Sequence, residues 1–342
     1  MIMLLYPDDN GIVHMKYRQR TASRPPPVFE LWCMDSLARL TATTSVALAP
    51  SLRRRLLDNL QSMLLAEKLC PTLKNLAQFI RQFLQLAELA QGGQPILYKK
   101  RGSLSLLFDL SALQSEMSID APDNLVLGYT QMMMGFLLFH PAPVTIGMIG
   151  LGGGSLAKFC YRHLPEAAIT VAEIDPRVIA MRNDFHLPPD DCRLQVQCCD
   201  GAAFVHDSAT PFDILMVDGF DRNGQPPHLA SEGFYDDCYQ ALAPGGILVV
   251  NLLSDAACAD LYIDRLHTAF HDAVLAVDAF DSLNKIVFAC KGDRLLDKDS
   301  ALIERLRKYD VPTETMLRLV ARNILQARKL GRHLPNYLLD AA

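Results

Sequence analysis

"MIGLGGGSLAKF", residues 148–159, sets four glycines among five positions, Gly150-x-Gly152-Gly153-Gly154, between an apolar run and the onset of a helical pattern. Glycines after a strand let the backbone approach a partner closely and aim the next helix N-terminus at it. The pattern serves nucleotides and nucleosides alike, so the flanking sequence has to decide. From residue 144 onward apolar runs alternate with helical patterns in a regular beat. Strands read as 144–149 (VTIGMI), 169–173 (ITVAE), 194–198 (LQVQC), 212–217 (FDILMV) and 247–252 (ILVVNL), and helices as 155–163, 176–185, 201–206 and 231–242, the last stopped by Pro244-Gly245-Gly246. This beat predicts an open α/β fold with a mostly parallel sheet covered on both faces. Past 252 the beat changes. A helix at about 256–271 is followed by apolar runs at 274–280 and 284–290 whose connection is too short for anything but an antiparallel pair.

Five parallel strands closed by such a hairpin resemble the Rossmann-like seven-stranded sheet, antiparallel last strand included, of class I S-adenosylmethionine-dependent methyltransferases rather than that of dinucleotide dehydrogenases. The strand ends sharpen the reading. Glu173, in "VAEIDP", stands about 20 residues beyond the glycines, where a carboxylate can accept both hydroxyls of a ribose. The third strand ends in Cys199-Asp200-Gly201, an acid placed to receive an adenine amino group. The fourth ends in "VDGFDRNGQPPHLASEGFY", residues 217–235, which brings Asp218 and Asp221 to the crevice edge where ligands of such sheets bind. Two acids suit an amine nucleophile, one taking a proton from an ammonium and the other holding a charge. The plainer alternative is that Asp218 ends the strand and Asp221 begins a turn.

Composition bounds the rest. The chain has 342 residues, half of them apolar, enough for a large core and an appendage. Its net charge of −5 is uneven: residues 1–100 carry 13 bases against 7 acids, residues 101–291 carry 10 against 24, and residues 292–342 carry 10 against 7. An acidic middle attracts cations and disfavours nucleic acid. No apolar run reaches 18 residues, and Asp8 and Asp9 follow the short apolar start, so neither a membrane span nor a secretory signal is expected. Nine scattered cysteines without Cys-x-x-Cys spacing fit free thiols in a reducing cytoplasm, Cys198-Cys199 being the pair to query. Upstream, 95–100 and 103–109 turn at Arg101-Gly102 as a β-hairpin, 50–90 is helical by period, and Pro25-Pro26-Pro27 reads as a linker. Residues 299–333 look like two helices whose Arg318, Arg322, Arg328, Lys329 and Arg332 read as a solvated basic face, with a patch for a partner or RNA as the alternative. The organisation expected is a mainly helical region at 1–92, a β-hairpin segment at 93–122, a nucleoside-binding domain at 123–292 and a helical tail at 293–342.

Over about residues 95–291 the chain resembles the polyamine aminopropyltransferases of the spermidine synthase type. Members carry a stretch like "VDSSDPIGPAESLFSKEFY", with which Val217, Asp218, Asp221, Gly224, Leu229, Ser231, Phe234 and Tyr235 coincide without a gap. Glu173-Ile174-Asp175 matches "EID", Asp200-Gly201 matches "DG", and 243–247 matches "KPGGI". The resemblance implies transfer of an aminopropyl group from decarboxylated S-adenosylmethionine to a putrescine-like amine, with no metal, because the sulfonium leaving group already carries the charge the reaction relieves. It implies Asp218 as the base or positioning carboxylate, Tyr129 as its hydrogen-bonding helper and Asp221 as the polyamine anchor. Gln114 would contact the nucleoside together with Gly150, Gly152, Gly154, Glu173, Asp200 and Gly201. A homodimer is the assembly it allows.

Two departures bear on the substrate. The family's loop reads "GGGDGG", and the acid that grips the aminopropyl ammonium is Gly153 here. Losing that contact weakens recognition by roughly 1.5–3 kcal/mol and removes a repulsion against the carboxylate of intact S-adenosylmethionine. Pro227 replaces a glutamate of "PAES". The N-terminal region also shows one hairpin instead of the several-stranded sheet expected of full synthases. An S-adenosylmethionine-dependent methyltransferase acting on an amine is therefore the alternative, and a non-catalytic nucleoside-binding scaffold a second.

Overall fold

The computed structural model describes residues 2–7, 13–18, 95–100, 102–108, 113–221, 224–253, 258–280 and 282–331. The chain divides into two compact units, Met1–Ser115 and Glu116–Ala342. The helical reading of 50–90, the proline linker, and Cys33 and Cys70 lie outside the described residues.

The first unit is built on a five-stranded sheet in sequence order: β1 (Ile2–Pro7), β2 (Val13–Arg18), β3 (Ile96–Lys100), β4 (Ser103–Leu107) and β5 (Leu113–Ser118), whose last residues begin the second unit. β1 and β2 pair antiparallel, β2 and β3 parallel, β3 and β4 antiparallel. Gly102 takes φ +82° in the β3–β4 turn, as a two-residue hairpin demands. The expectation of a single hairpin is thus corrected. The pairing of β2 with β3 joins segments far apart in sequence, and periodicity carries no information about such a partner.

In the second unit the seven-stranded sheet expected from the sequence is present. It comprises β6 (Thr145–Ile149), β7 (Ala168–Glu173), β8 (Leu194–Cys198), β9 (Phe212–Val217), β10 (Leu242–Leu253), β11 (Val274–Asp278) and β12 (Asn284–Cys290), in the order β11-β12-β10-β9-β6-β7-β8. The pairs from β10 through β9, β6 and β7 to β8 are parallel, and β12 runs antiparallel to both β10 and β11. Chain order reverses between β6 and β9, the switch point at which open α/β sheets leave a crevice.

Helices cover the faces: α1 (Gly128–Met133), α2 (Ser155–His163), α3 (Pro176–Ala180), α4 (Gly201–His206), α5 (Glu232–Ala241), α6 (Ala259–Ala269), α7 (Asp299–Leu306) and α8 (Val311–Gly331). α3 ends five residues before the expected 185, in turns that run to His186 at φ +55° ahead of Pro188-Pro189. The apolar run 125–139 folds as α1 and a 3-10 helix, Met134–Leu138, and Met132, Met133, Met134, Phe136, Leu137, Leu138 and Phe139 have no solvent exposure. A segment apolar all round is thereby placed in a protein core. Among the described residues no helix is long and apolar enough to cross a membrane.

The tail forms the two expected helices, and it is part of the core. Leu317, Val320 and Ile324 of α8 are fully buried. A solvated face is the wrong description for Arg328, which is 8% exposed, lies 5.2 Å from the Phe139 ring centroid, and donates to the Asp297 carbonyl at 2.8 Å, to Asp299 Oδ1 at 2.9 Å and to the Leu295 carbonyl. Arg318, by contrast, is exposed and pairs with Glu314 one turn away. Gly135 lets α8 seat: a Cβ there would lie 2.8 Å from Phe288 Cζ and 3.1 Å from side-chain atoms of both Ile324 and Val320. Gly135→Ala is therefore expected to cost about 1–3 kcal/mol through overpacking, read as a lowered thermal midpoint; an unchanged midpoint would mean that α8 does not pack there.

Candidate active site

The carboxyl ends of neighbouring parallel strands lie about 4.8 Å apart, so residues immediately after them form a row. That row is Gly150 after β6, Glu173 at the end of β7, Cys199 and Asp200 after β8, Asp218 after β9 and Asn251 near the end of β10.

The glycine loop answers first to its protein neighbours. Gly150 has φ +91°, and a Cβ on it would stand 2.3 Å from the Asp218 backbone oxygen. The Asp218 amide donates to the Ile149 carbonyl at 2.9 Å, which draws β9 against β6 at this point. Gly154, at φ +67°, is the N-terminal cap of α2, and its missing side chain makes room for Leu187 Cδ1. Gly152 also lies in the left-handed region, at φ +51°.

Glu173, 8% exposed, accepts the Leu151 amide at Oε2 (2.8 Å) and the Asp175 amide at Oε1 (2.9 Å). Burial raises its pKa and these amides oppose the rise. Glu173 thus ties the glycine loop to the end of β7, with the Gly152 amide adding to the same hold. Asp200 caps α4, its Oδ1 accepting from the Ala202 and Ala203 amides at 2.9 and 3.0 Å. Its Oδ2 lies 3.0 Å from His228 Nε2. Burial pushes the Asp200 pKa up, but the Ala203 amide, His228 and the Ala202 amide together hold it below the ordinary value. Gly201 follows without a side chain because a Cβ would meet Ile149 Cγ2 at 2.3 Å.

Asp218 is the most perturbed acid of the row. Burial raises its pKa to about 6 against two hydrogen bonds that lower it, from Asn251 Nδ2 to Oδ1 at 2.8 Å and from the Tyr129 hydroxyl to Oδ2 at 3.3 Å. Tyr129 sits in the first turn of α1, where Thr130 Oγ1 donates to the Leu127 carbonyl and Gln131 Nε2 to the Leu125 carbonyl, at 2.6 and 2.8 Å. Burial, then the Asp218 charge and their hydrogen bond, push the phenol pKa well above 10, so Tyr129 remains a donor. The Asn251 side chain is itself held: Asn284 Nδ2 donates to Asn251 Oδ1 at 2.9 Å.

The structure therefore brings Tyr129 to Asp218 and sets Glu173, Asp200 and the glycines along the same edge. Asp221 is exposed at a tight turn whose backbone pairs with Gly224, so the turn foreseen for it is present. Gln114 lies on β5 in the first unit. Sequence reading missed Asn251, Asn284 and His228. Asn251 carried a signal, a lone amide inside the apolar run ILVVNL, because a buried amide requires a partner. The seven described cysteines, Cys198 and Cys199 among them, are free thiols.

A spermine/spermidine synthase domain model matches residues 126–273. A polyamine aminopropyltransferase of Chromobacterium violaceum is 37% identical over 202 residues, covering 59% of this chain and 77% of the relative. That of a Neisseria meningitidis serogroup A strain is 38% identical over 187 residues, 54% of this chain and 71% of the relative. An eEF1A lysine and N-terminal methyltransferase of Danio rerio is 26% identical over 178 residues, 49% of this chain and 26% of the relative. A solved structure, a probable spermidine synthase of Corynebacterium glutamicum, shares the fold with TM-score 0.51 at 19% identity, over 67% of this chain and 91% of its own. By its order of strands and its identity across most of the length of these bacterial relatives, the chain belongs to the polyamine aminopropyltransferase (spermine/spermidine synthase) family.

Proposed function

We propose that the chain transfers an aminopropyl group from decarboxylated S-adenosylmethionine to a primary amine of the putrescine class, in polyamine biosynthesis. The observation that carries this reading is Asp218, an acid at the tip of β9 with its pKa raised to about 6 and two donors fixing its oxygens. The donor nucleoside, when bound, supplies a carbon activated by a sulfonium. Asp218 as carboxylate takes a proton from the ammonium form of the amine, whose freed lone pair forms the new C–N bond while the C–S bond breaks and its electrons remain on sulfur. Tyr129 and Asn251 hold the carboxylate in place for that proton.

The residues at the neighbouring strand ends fit the donor. The Glu173 carboxylate, an acceptor at the end of β7, suits ribose hydroxyls, and Asp200 Oδ2, shared with His228, suits an adenine amino group. Gly150, Gly152, Gly154 and Gly201 supply the close backbone, and Asp221 the anchor for the distal charge of the amine. A cytoplasmic homodimer belongs to the same reading. Gly153, where the family carries an acid, favours a second one: methyl transfer from intact S-adenosylmethionine to an amine.

A product assay offering putrescine, spermidine and cadaverine with either donor decides between them, and aminopropylated putrescine from the decarboxylated donor is the expected product; methylated amine from the intact donor would establish the second reading. Because the base must be ionised, kcat/KM is expected to fall about tenfold per pH unit below an apparent pKa near 6. Asp218→Asn should lower transfer by about 10²–10⁴-fold with donor affinity within a few-fold. A carboxyl whose pKa is higher folded than unfolded loses stability for the fold as pH rises from about 4 to about 6. The same variant should therefore melt no lower than the parent at pH 7.5, and a clearly lower midpoint would make Asp218 structural. In calorimetry Gly153→Asp should shift preference toward the decarboxylated donor, and an unchanged ratio would remove residue 153 from the pocket.

A further inference from the structure

We propose that Asn284, acting through Asn251, is a positioning residue that turns the Asn251 amide so that its N–H faces Asp218 and keeps this acid in its proton-accepting form. The inference rests on the aminopropyl transfer proposed above and adds a device to it. An asparagine amide offers a donor and an acceptor of nearly the same shape, and either end can face a neighbour. Only the donor end favours a carboxylate. The oxygen end would repel it and stabilise the protonated acid. Nothing in Asn251 itself makes that choice. Its two neighbours make it together: the Asp218 carboxylate draws the N–H end, and Asn284 holds the oxygen end away by donating from Nδ2 to Asn251 Oδ1 at 2.9 Å, while Asn251 Nδ2 reaches Asp218 Oδ1 at 2.8 Å.

The fold explains why the second amide arrives from β12. Asn251 stands opposite Ile286 in the antiparallel β10–β12 register, so Asn284, two residues away, is its diagonal neighbour on the same face. The Ala279 amide donates to the Asn284 carbonyl at 2.8 Å, which pins the start of β12. Asn251 is 2% exposed, so the two bonds stand or fall together: an unpartnered amide atom there would be costly. The reversed last strand thus delivers a side chain to the reacting edge of an otherwise parallel sheet.

Among the described residues the titratable group in contact with Asp218 is Tyr129 from α1, and Asp221 follows on the same loop. β10 and β12 present the two uncharged amides. Lys285, next to Asn284, is engaged with Asp278 at 2.5 Å. After burial, the Asn251 hydrogen bond is the largest influence on the acid.

The test is a ¹³C carboxyl NMR titration of the full chain labelled at aspartate, with the Asp218 resonance identified by its loss in Asp218→Asn. In the parent chain Asp218 should titrate near 6. In Asn284→Ala the midpoint should rise by about one pH unit, the equivalent of one hydrogen bond. Asn284→Asp should raise it further, because the new carboxylate accepts from Asn251 Nδ2 and turns the Asn251 oxygen toward Asp218. The acid limb of kcat/KM should move with the midpoint in each variant while KM for the donor stays within a few-fold. An Asp218 midpoint unmoved in Asn284→Ala overturns the proposal, and Asn284 is only half-buried at the start of its strand, so that variant is expected to fold even if Asn284→Asp does not. If the parent chain transfers no aminopropyl group while the midpoint still moves, the proposed function falls and the amide pair stands.

Discussion

A carboxylate at the edge of a sheet, withdrawn from water but not from hydrogen-bond donors, is the constraint around which the second unit is arranged. Asp218 follows β9 at the point where chain order reverses, and its backbone is pressed so closely against Gly150 that no side chain fits between them. The glycine loop is thereby fixed by the same residue whose carboxyl faces Tyr129 and Asn251. Burial pushes this acid up and the two donors oppose the rise, leaving it at about 6, ionised at neutral pH yet still basic enough to accept a proton.

The neighbouring acids do structural service at the positions that the proposed function assigns to the donor. Glu173 clasps the Leu151 amide, and Asp200 caps α4 and meets His228. Groups already oriented by the protein need no reordering when a ligand arrives, which is the physical meaning of a preorganised site. Asp218 carries a stability cost, because a carboxyl whose pKa is raised by folding opposes the fold when it is ionised at neutral pH, whereas Asp200, held below the ordinary value, does not. The tail offsets such costs elsewhere, with α8 seated over Gly135 and Arg328 bonded into the 295–299 segment.

Much of this was legible in the residues. The beat of apolar runs gave the seven strands, the short link after 280 gave the antiparallel pair, and the acids at strand ends gave the edge that matters, because all three depend on local spacing. What escaped depends on partners remote in sequence. The pairing of β2 with β3, the burial of Arg328, and the bridge from Asn284 through Asn251 to Asp218 each join residues that no periodicity relates. The glycines were legible as a close approach, but Gly150 and Gly154 make room first for Asp218 and Leu187.

A crystal structure of the chain with methylthioadenosine and putrescine would confront these statements at once. The nucleoside should lie across the ends of β6, β7, β8 and β9 with its ribose on Glu173, and one amine nitrogen should sit within hydrogen-bond distance of Asp218. A nucleoside seated elsewhere, or an amine that leaves Asp218 untouched, would contradict the role assigned to that carboxylate.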